Sequence, residues 1–479
     1  MKTRPLFMIL TLLPTSLLIF LTWTQLTPVQ AAGFVVNASI DDSFAHDSSP
    51  GDGVCSDLLG ACTLRAAIEE ANALTGHDTI TFLNPMTITI NVGEGDLPPI
   101  TDTVTIDASS VWDTVNSRPG VTLDGNNTFA TGLLLRADHN EIYGLYIHNF
   151  KFGGIAMLSS NNTIGNTGIG QRNIISGNGE SGIAIKSSGA QNNKIWNNVI
   201  GLTPAGVKEP NNSGIVLLDG ASNNLIGGDT QTLGNVIAGS VEYGAYVGGD
   251  GTDNNKFGGN VFGGTPSLGN TKSGINVHSN ASNTIIGGPG LASNTIAGNG
   301  QAGIYFATIS GTTYVENNNI YENSAGGIAI YGANVHVISN TISGNTDAGI
   351  SINGAAATGN LLTRNRIYDN SWVGIYLSNG GNTQLAAPVV TTASSITGAS
   401  GIACALCTVE LFSDAADEGK VYEGTAVADA AGNWTFNGSL IGPNLTTTAT
   451  DENNNSSRFS TPVTVTKPKL LFLPIVIKP

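Results

Sequence analysis

Gly327-Ile328-Ala329-Ile330, Gly349-Ile350-Ser351-Ile352 and Gly374-Ile375-Tyr376-Leu377 repeat one phrase, a glycine and then two apolar residues flanking a variable one. Toward the N-terminus the phrase returns at Gly303, Gly274, Gly244, Gly214, Gly182 and Gly154. From Gly154 onward, successive glycines lie 28, 32, 30, 30, 29, 24, 22 and 25 residues apart. A period of this size marks a repeat architecture. Apolar, variable, apolar is the period-two pattern of a short strand with one buried face. A second phrase, Asn-x-Ile-x-x-Asn, precedes the glycine in several repeats, starting at Asn173, Asn294, Asn318, Asn340 and Asn365. Asparagine and glycine accept the left-handed backbone of tight corners, and an asparagine amide can bond a stacked neighbour. Paired amphipathic helices do not fit among residues so rich in Asn and Gly, and the spacing of a leucine-rich repeat is missing. The expectation is an all-β chain, a right-handed parallel β-helix over residues 76–385.

That architecture sorts side chains into inward and outward columns. Ile155, Ile183, Ile215, Ala245, Ile275, Ile304, Ile328, Ile350 and Ile375 form the expected inward stack. The residue after each faces outward, so Tyr246, Tyr305 and Tyr376 share a column with Ala156, Ala184, Val216, Asn276, Ala329 and Ser351. Coils stack roughly 4.8 Å apart, which puts Tyr246 and Tyr305, two coils apart, at roughly 10 Å. Rings at that spacing suit stacking on a polysaccharide, and these three tyrosines are the candidate ligand-binding residues. The plainer reading is that Tyr suits any strand surface.

Catalysis on a glycan needs clustered carboxylates with a base or a calcium ion. The Asn-x-Asp, Asp-Asp and Gly-His-Gly set of polygalacturonases and the Asp-Pro-His of alginate epimerases do not occur in the coils. Aligning the last three coils on their asparagines stacks Glu322, Gly344 and Asp369, with Arg364 and Arg366 nearby. These four are the candidate catalytic residues, and ordinary surface charge is the competing account. Gly248-Gly249-Asp250-Gly251-Thr252-Asp253 matches the start of a calcium-binding nonapeptide, but Asn255 stands where a large apolar residue belongs. Such sites work by stacked copies, so a turn is expected at Asp250 and Asp253. No cofactor is called for, and calcium is the one ion left open.

Lys2 and Arg4 precede an apolar run over residues 6–21, and Val29-Gln30-Ala31 offers a cleavage site, the pattern of a signal peptide over 1–31. An exported chain with four cysteines is expected to form two disulfides. Charged residues are 11% of the chain and the net charge is −16, which argues against a nucleic-acid partner. Residues 33–75 read as a cap: a strand, an acidic loop with Asp41, Asp42, Asp47, Asp52 and Asp57, and a helix over 64–74 capped by Thr63. Cys55 and Cys62 bracket a short loop. Cys62-Thr63-Leu64-Arg65-Ala66-Ala67-Ile68 resembles the Cys-Ser-Leu-Arg-Glu-Ala-Ile signature of exported β-helix proteins, departing at Thr63 and Ala66. The resemblance implies an extracytoplasmic, pectate-lyase-like solenoid and transfers no catalytic residue. A solenoid end exposes strand edges, so a helix stapled by a disulfide has a physical task there.

After Leu377 the rhythm stops, and Ala386-Ala387-Pro388 makes a linker. Residues 388–466 read as six short strands between turns, a small β-sandwich. Cys407-Thr408-Val409-Glu410-Leu411-Phe412 and Gly432-Asn433-Trp434-Thr435-Phe436 resemble bacterial immunoglobulin-like modules. Because a strand follows Cys404-Ala405-Leu406-Cys407, a local disulfide is expected and not a redox pair. The tail, 467–479, is too short to span a bilayer. Together these features point to a secreted or cell-surface monomer that is not an integral membrane protein. Its expected role is non-enzymatic binding of an extracellular polysaccharide or cell-surface glycan. The alternative is a polysaccharide lyase, hydrolase or epimerase using the same face.

Overall fold

The computed structural model describes residues 31–467 apart from 92, 129 and 130, so nearly all of the segment read as a signal peptide and of the tail lies outside it. Three parallel sheets of 12, 11 and 10 strands run along the solenoid. The first begins at Gly33–Val36, the second at Met86–Thr89 and the third at Thr131–Leu135, and later coils add a strand to each. The result is a right-handed parallel β-helix. One α-helix, Leu64–Ala73, is present among the described residues. In the third sheet Ile183 pairs with Ile155 and Ile215, and Ile350 with Ile328 and Ile375. All nine members of the inward stack are buried, as their period-two pattern requires.

The repeat glycine serves close approach, since none of the nine has a positive φ. A Cβ on Gly327 would stand 2.5 Å from the carbonyl oxygen of Gly349, and one on Gly349 would stand 2.7 Å from that of Gly374. The first eight of these glycines therefore admit the backbone of the next coil. A side chain there would force the coils apart.

The asparagines form buried ladders at the corners. Entering the second sheet, Asn173, Asn198, Asn235, Asn260, Asn294, Asn318, Asn340 and Asn365 are linked one to the next through Nδ2 and Oδ1. Leaving it, Asn270, Asn299, Asn323, Asn345 and Asn370 do the same. Each Oδ1 also takes a backbone N–H of the preceding coil, as Asn340 does from Asn318 at 2.9 Å. Corners are where backbone groups lose their ladder partners, and a buried unpaired N–H is costly.

At the N-terminus Gly33–Val36 pairs in parallel with Asp78–Phe82, so the cap contributes the first strand of the first sheet. Thr63 caps the helix by accepting from the Ala66 N–H at 3.0 Å. Arg65 is buried, donating to Asp41 at 2.7 and 3.1 Å and to the carbonyls of Gly95 and Asp96. The acids of the loop are spent locally: Asp47 and Asp57 each accept two backbone N–H groups, and Glu70 accepts those of Gly51 and Gly53. Cys55 is joined to Cys62, and Cys404 to Cys407. Thiol labelling of the native protein should therefore mark neither Cys55 nor Cys62. Breaking that short loop should cost about 2 kcal/mol, the lower end for disulfides.

The C-terminal residues form a three-stranded and a four-stranded antiparallel sheet around a shared core that includes Val409, Leu411, Trp434 and Leu445. A strand at Gly398–Ile402, not anticipated from its small residues, completes the first of these sheets. This module closes the solenoid. The Glu418 carboxylate accepts from the Asn370 N–H and Nδ2, both at 3.1 Å, where a further coil would place another asparagine. Glu410 accepts from Thr363 Oγ1 and the Arg364 N–H, Ile367 and Gly419 exchange backbone hydrogen bonds, and the Phe459 ring packs on Gly374.

Burial raises the pKa of Glu410 and of Glu418, outweighing the hydrogen bonds that lower them. The folded protein thus holds these protons to higher pH than the unfolded chain does. Their linkage favours the docked state below the unfolded carboxylate pKa and is lost as pH rises through the raised values. Thermal scans between pH 4.5 and 8 should show this slope, and Glu410→Gln with Glu418→Gln should flatten it. An unchanged slope would remove the two carboxylates as its source.

Candidate functional site

The outward face of the third sheet carries the aromatic residues. Register places Tyr246 beside Asn276, Asn276 beside Tyr305, and Ser351 beside Tyr376. Tyr246 and Tyr305 are thus two coils apart, and Tyr376 lies three coils beyond Tyr305. None of the three stands alone. Tyr246 leans on Tyr243 at 5.7 Å between ring centroids, Tyr305 on Tyr331 at 5.4 Å, and Tyr376 on Trp372 at 4.4 Å. The face therefore bears three aromatic pairs in line, separated by small or polar residues. Tyr331 and Trp372 are more exposed than their partners at 44% and 53%.

Between the first two pairs lies a cleft of about 530 Å³, lined by Tyr243, Tyr305, Asn276, His278, Lys272 and Gln301. Asn276 is buried, and its Oδ1 has no hydrogen-bond partner among the described residues. Burial lowers the pKa of His278, so its imidazole is neutral at pH 7. The ring of Tyr246 meets it edge-on at 4.6 Å. Lys272 is bound to Glu242 at 2.5 Å, which raises its pKa and cancels its charge locally. Burial and the neighbouring rings raise the phenol pKa values of Tyr246 and Tyr305, which stay neutral. The cleft offers ring faces, an open amide and a neutral imidazole that is hydrogen-bonded to Ser279.

The candidate catalytic residues sit away from this face. Glu322, Asp369 and Arg364 occupy left-handed corner positions, with φ of 54°, 57° and 54°. Glu322 and Asp369 follow the second-sheet strands Asn319–Tyr321 and Arg366–Tyr368. Asp369 lies 3.8 Å from Lys420, and Arg366 donates through Nε to the Lys420 carbonyl, both across the junction with the C-terminal module. Asp250 accepts from Asn280, and Asp253 from Ser282 and Asn283, all in the next coil. No group of three metal-ligating side chains suited to an ion occurs among the described residues. No helix among them is long and apolar enough to cross a membrane.

Tyr243, Tyr331 and Trp372 escaped the sequence reading because each lies just outside the strand phrase. The available signal was their adjacency to it: Tyr243 precedes Gly244, Tyr331 follows Ile330, and Trp372 stands two before Gly374.

Residues 268–408 match the family described as the right handed beta helix region. No curated protein matches the sequence. Among solved structures the chain is similar to the A-module of a mannuronan C-5 epimerase from Azotobacter vinelandii, at 15% identity and a TM-score of 0.48, over 66% of this chain and 93% of that one. It is similar to a pectate lyase at 15% identity and a TM-score of 0.40, over 66% of this chain and 71% of that one. An alginate lyase from Paenibacillus sp. gives 16% identity and a TM-score of 0.37, over 66% of this chain and 95% of that one. Likenesses at this level assign no chemistry to the chain.

Proposed function

We propose that this is an exported solenoid that holds a linear glycan along the outward face of its third sheet, without chemical conversion. The observation that carries the reading is the line of three aromatic pairs, Tyr243 with Tyr246, Tyr305 with Tyr331, and Trp372 with Tyr376. Their offsets of two and three coils are roughly 10 and 14 Å, a spacing a chain of sugar rings can follow. Asn276 and His278 supply hydrogen-bonding groups between the first two pairs. The C-terminal module, which resembles immunoglobulin-like modules in sequence, serves in this reading as end cap and as spacer from the cell surface.

Ring contacts with sugar faces are largely apolar, so retention on an insoluble glycan should change little between 0.05 and 0.5 M salt. Tyr246→Ala with Tyr305→Ala should weaken retention about tenfold or more and leave the circular dichroism and melting temperature near those of the parent. Unchanged retention would remove the aromatic face from consideration. If the protein instead released sugar ends, and Glu322→Gln or Asp369→Asn stopped that release, the enzymatic alternative would replace this one.

A further inference from the structure

A second cleft, of about 630 Å³, lies on the outer face of the second sheet, several coils nearer the N-terminus. Two excursions from the coil path wall it. In the first, residues 108–120, Asp113 and Arg118 pair in antiparallel fashion. The Asp113 carboxylate takes the N–H groups of Val115 and Asn116, the Asn116 amide and Arg118 Nε. Those bonds, led by Asn116, bring its pKa down to about 2, so the tip is a firmly ionised, self-braced turn. Trp112 backs onto Gly170, where an added Cβ would stand 2.8 Å from the Trp112 Cβ. The second excursion, residues 201–210, closes through Leu202 with Lys208 and brings Pro204 to the opposite wall.

Thr122 and Tyr146 contribute to the lining from neighbouring strands of the sheet. Tyr146 stacks on His148 at 4.3 Å with 20° between the planes, and its phenol donates to Glu209 at 2.5 Å. Ser176 also donates to Glu209. His148 lies 3.5 Å from Glu209 on one side and 3.9 Å from Asp124 on the other. Within this cluster Glu209 and Tyr146 are held in fixed protonation states. Burial would raise the pKa of Glu209, yet His148 alongside it and the hydrogen bonds from Ser176 and Tyr146 bring it down to about 2. Burial, with Glu209 beside it, pushes the Tyr146 phenol well above its usual range. General acid–base catalysis needs groups that titrate near the working pH, which Glu209 and Tyr146 do not. The network instead fixes the Tyr146 ring within the lining.

We propose that this cleft is a second carbohydrate site, taking an uncharged sugar unit between Trp112 and Tyr146. The two rings and the faces of Pro85, Pro119 and Pro204 offer apolar surface to the C–H face of a pyranose. Arg118, held beside the fully occupied Asp113 carboxylate through Nε, is the donor available to sugar hydroxyls. Among the described residues Arg118 hydrogen-bonds through its side chain only from Nε, which leaves its terminal nitrogens open. Arg118 is already balanced by Asp113, Glu209 and Asp124 lie close to Tyr146 and His148, and the chain carries −16 overall. A polyanion meets net repulsion here, and a neutral glycan does not.

The test uses the full chain carrying Tyr246→Ala and Tyr305→Ala, so that the third-sheet face is silent. Tryptophan fluorescence and calorimetry are recorded against uncharged hexasaccharides (β-1,4-glucan, β-1,4-mannan and α-1,4-glucan) and a polyuronate hexamer. Binding of at least one uncharged hexamer, and not of the uronate, is expected. Trp112→Ala and Arg118→Ala should each weaken it about tenfold or more. Trp112→Phe should retain most of it, which guards against a folding defect in the alanine variant. Absence of binding across the uncharged panel, preference for the uronate, or affinity indifferent to both alanine substitutions would each overturn the proposal. Failure of the third-sheet reading would appear elsewhere, as polymer retention that the two tyrosine substitutions leave unchanged in a chain carrying Trp112→Ala.

Discussion

Ile350→Asp should destabilise the protein by about 4 kcal/mol or more, while Ser351→Asp beside it should shift stability by less than about 0.5 kcal/mol. Ile350 is fully buried, stacked between Ile328 and Ile375. No cation lies in that column, whose other members are isoleucines and one alanine, so a carboxylate there must stay uncharged or open the coils. Ser351 points the other way, half-exposed between Ala329 and Tyr376. The penalty should not remain local, because each coil of a solenoid is held chiefly by its neighbours. The C-terminal module docks on the last coil, so its release should accompany the loss. Urea titrations of the two variants decide the matter, and equal, mild shifts would refute the inward and outward assignment.

The coil path was legible because a strand buried on one face writes its period directly into sequence. Ile328, Ala329 and Ile330 state which way each residue faces, and the structure places them accordingly. The asparagine phrase was legible for the same reason, since Asn173 and Asn178 recur wherever the chain turns a corner. What the sequence left unread depends on how neighbouring coils align. Tyr305 meets Tyr331 only because one coil advances by a strand while the next residue turns outward. Tyr146 and Glu209 are 63 residues apart and meet through an excursion with no motif of its own. Glu322 and Asp369 aligned correctly, yet that column is a corner, with left-handed backbone at both residues. The role of Glu418 was equally hidden, because a carboxylate that ends an asparagine ladder looks like any surface acid in the sequence.

Asn318→Leu should cost about 3–5 kcal/mol although leucine is close in size and the site is buried. The Asn318 Oδ1 accepts from the N–H and the Nδ2 of Asn294, at 3.2 and 2.9 Å. Its Nδ2 donates to Asn340 Oδ1 at 3.0 Å and to the Ile286 carbonyl at 2.8 Å. Leucine satisfies none of these, so the donors of Asn294 and the Ile286 carbonyl on the preceding coil, and the Asn340 Oδ1 on the next, are left dry and unpaired. Asn318→Asp separates the two halves of the amide's work. The carboxylate still accepts from Asn294 but now faces Asn340 Oδ1 and the Ile286 carbonyl as a third acceptor. Near pH 7 it should therefore be at least as damaging as leucine. Burial and those acceptors raise the folded pKa of the new acid above its unfolded value, so stability should return as pH falls, once the acid proton replaces the lost N–H donor. Asn317→Asp supplies the control, because Asn317 is exposed at the adjoining corner and should tolerate the change within about 0.5 kcal/mol. Denaturant titrations at pH 7 and pH 4.5 separate the cases. If Asn318→Leu cost less than 1 kcal/mol, or Asn318→Asp failed to recover in acid, the ladder would have to be a passive consequence of the corners and not part of what holds the coils in register.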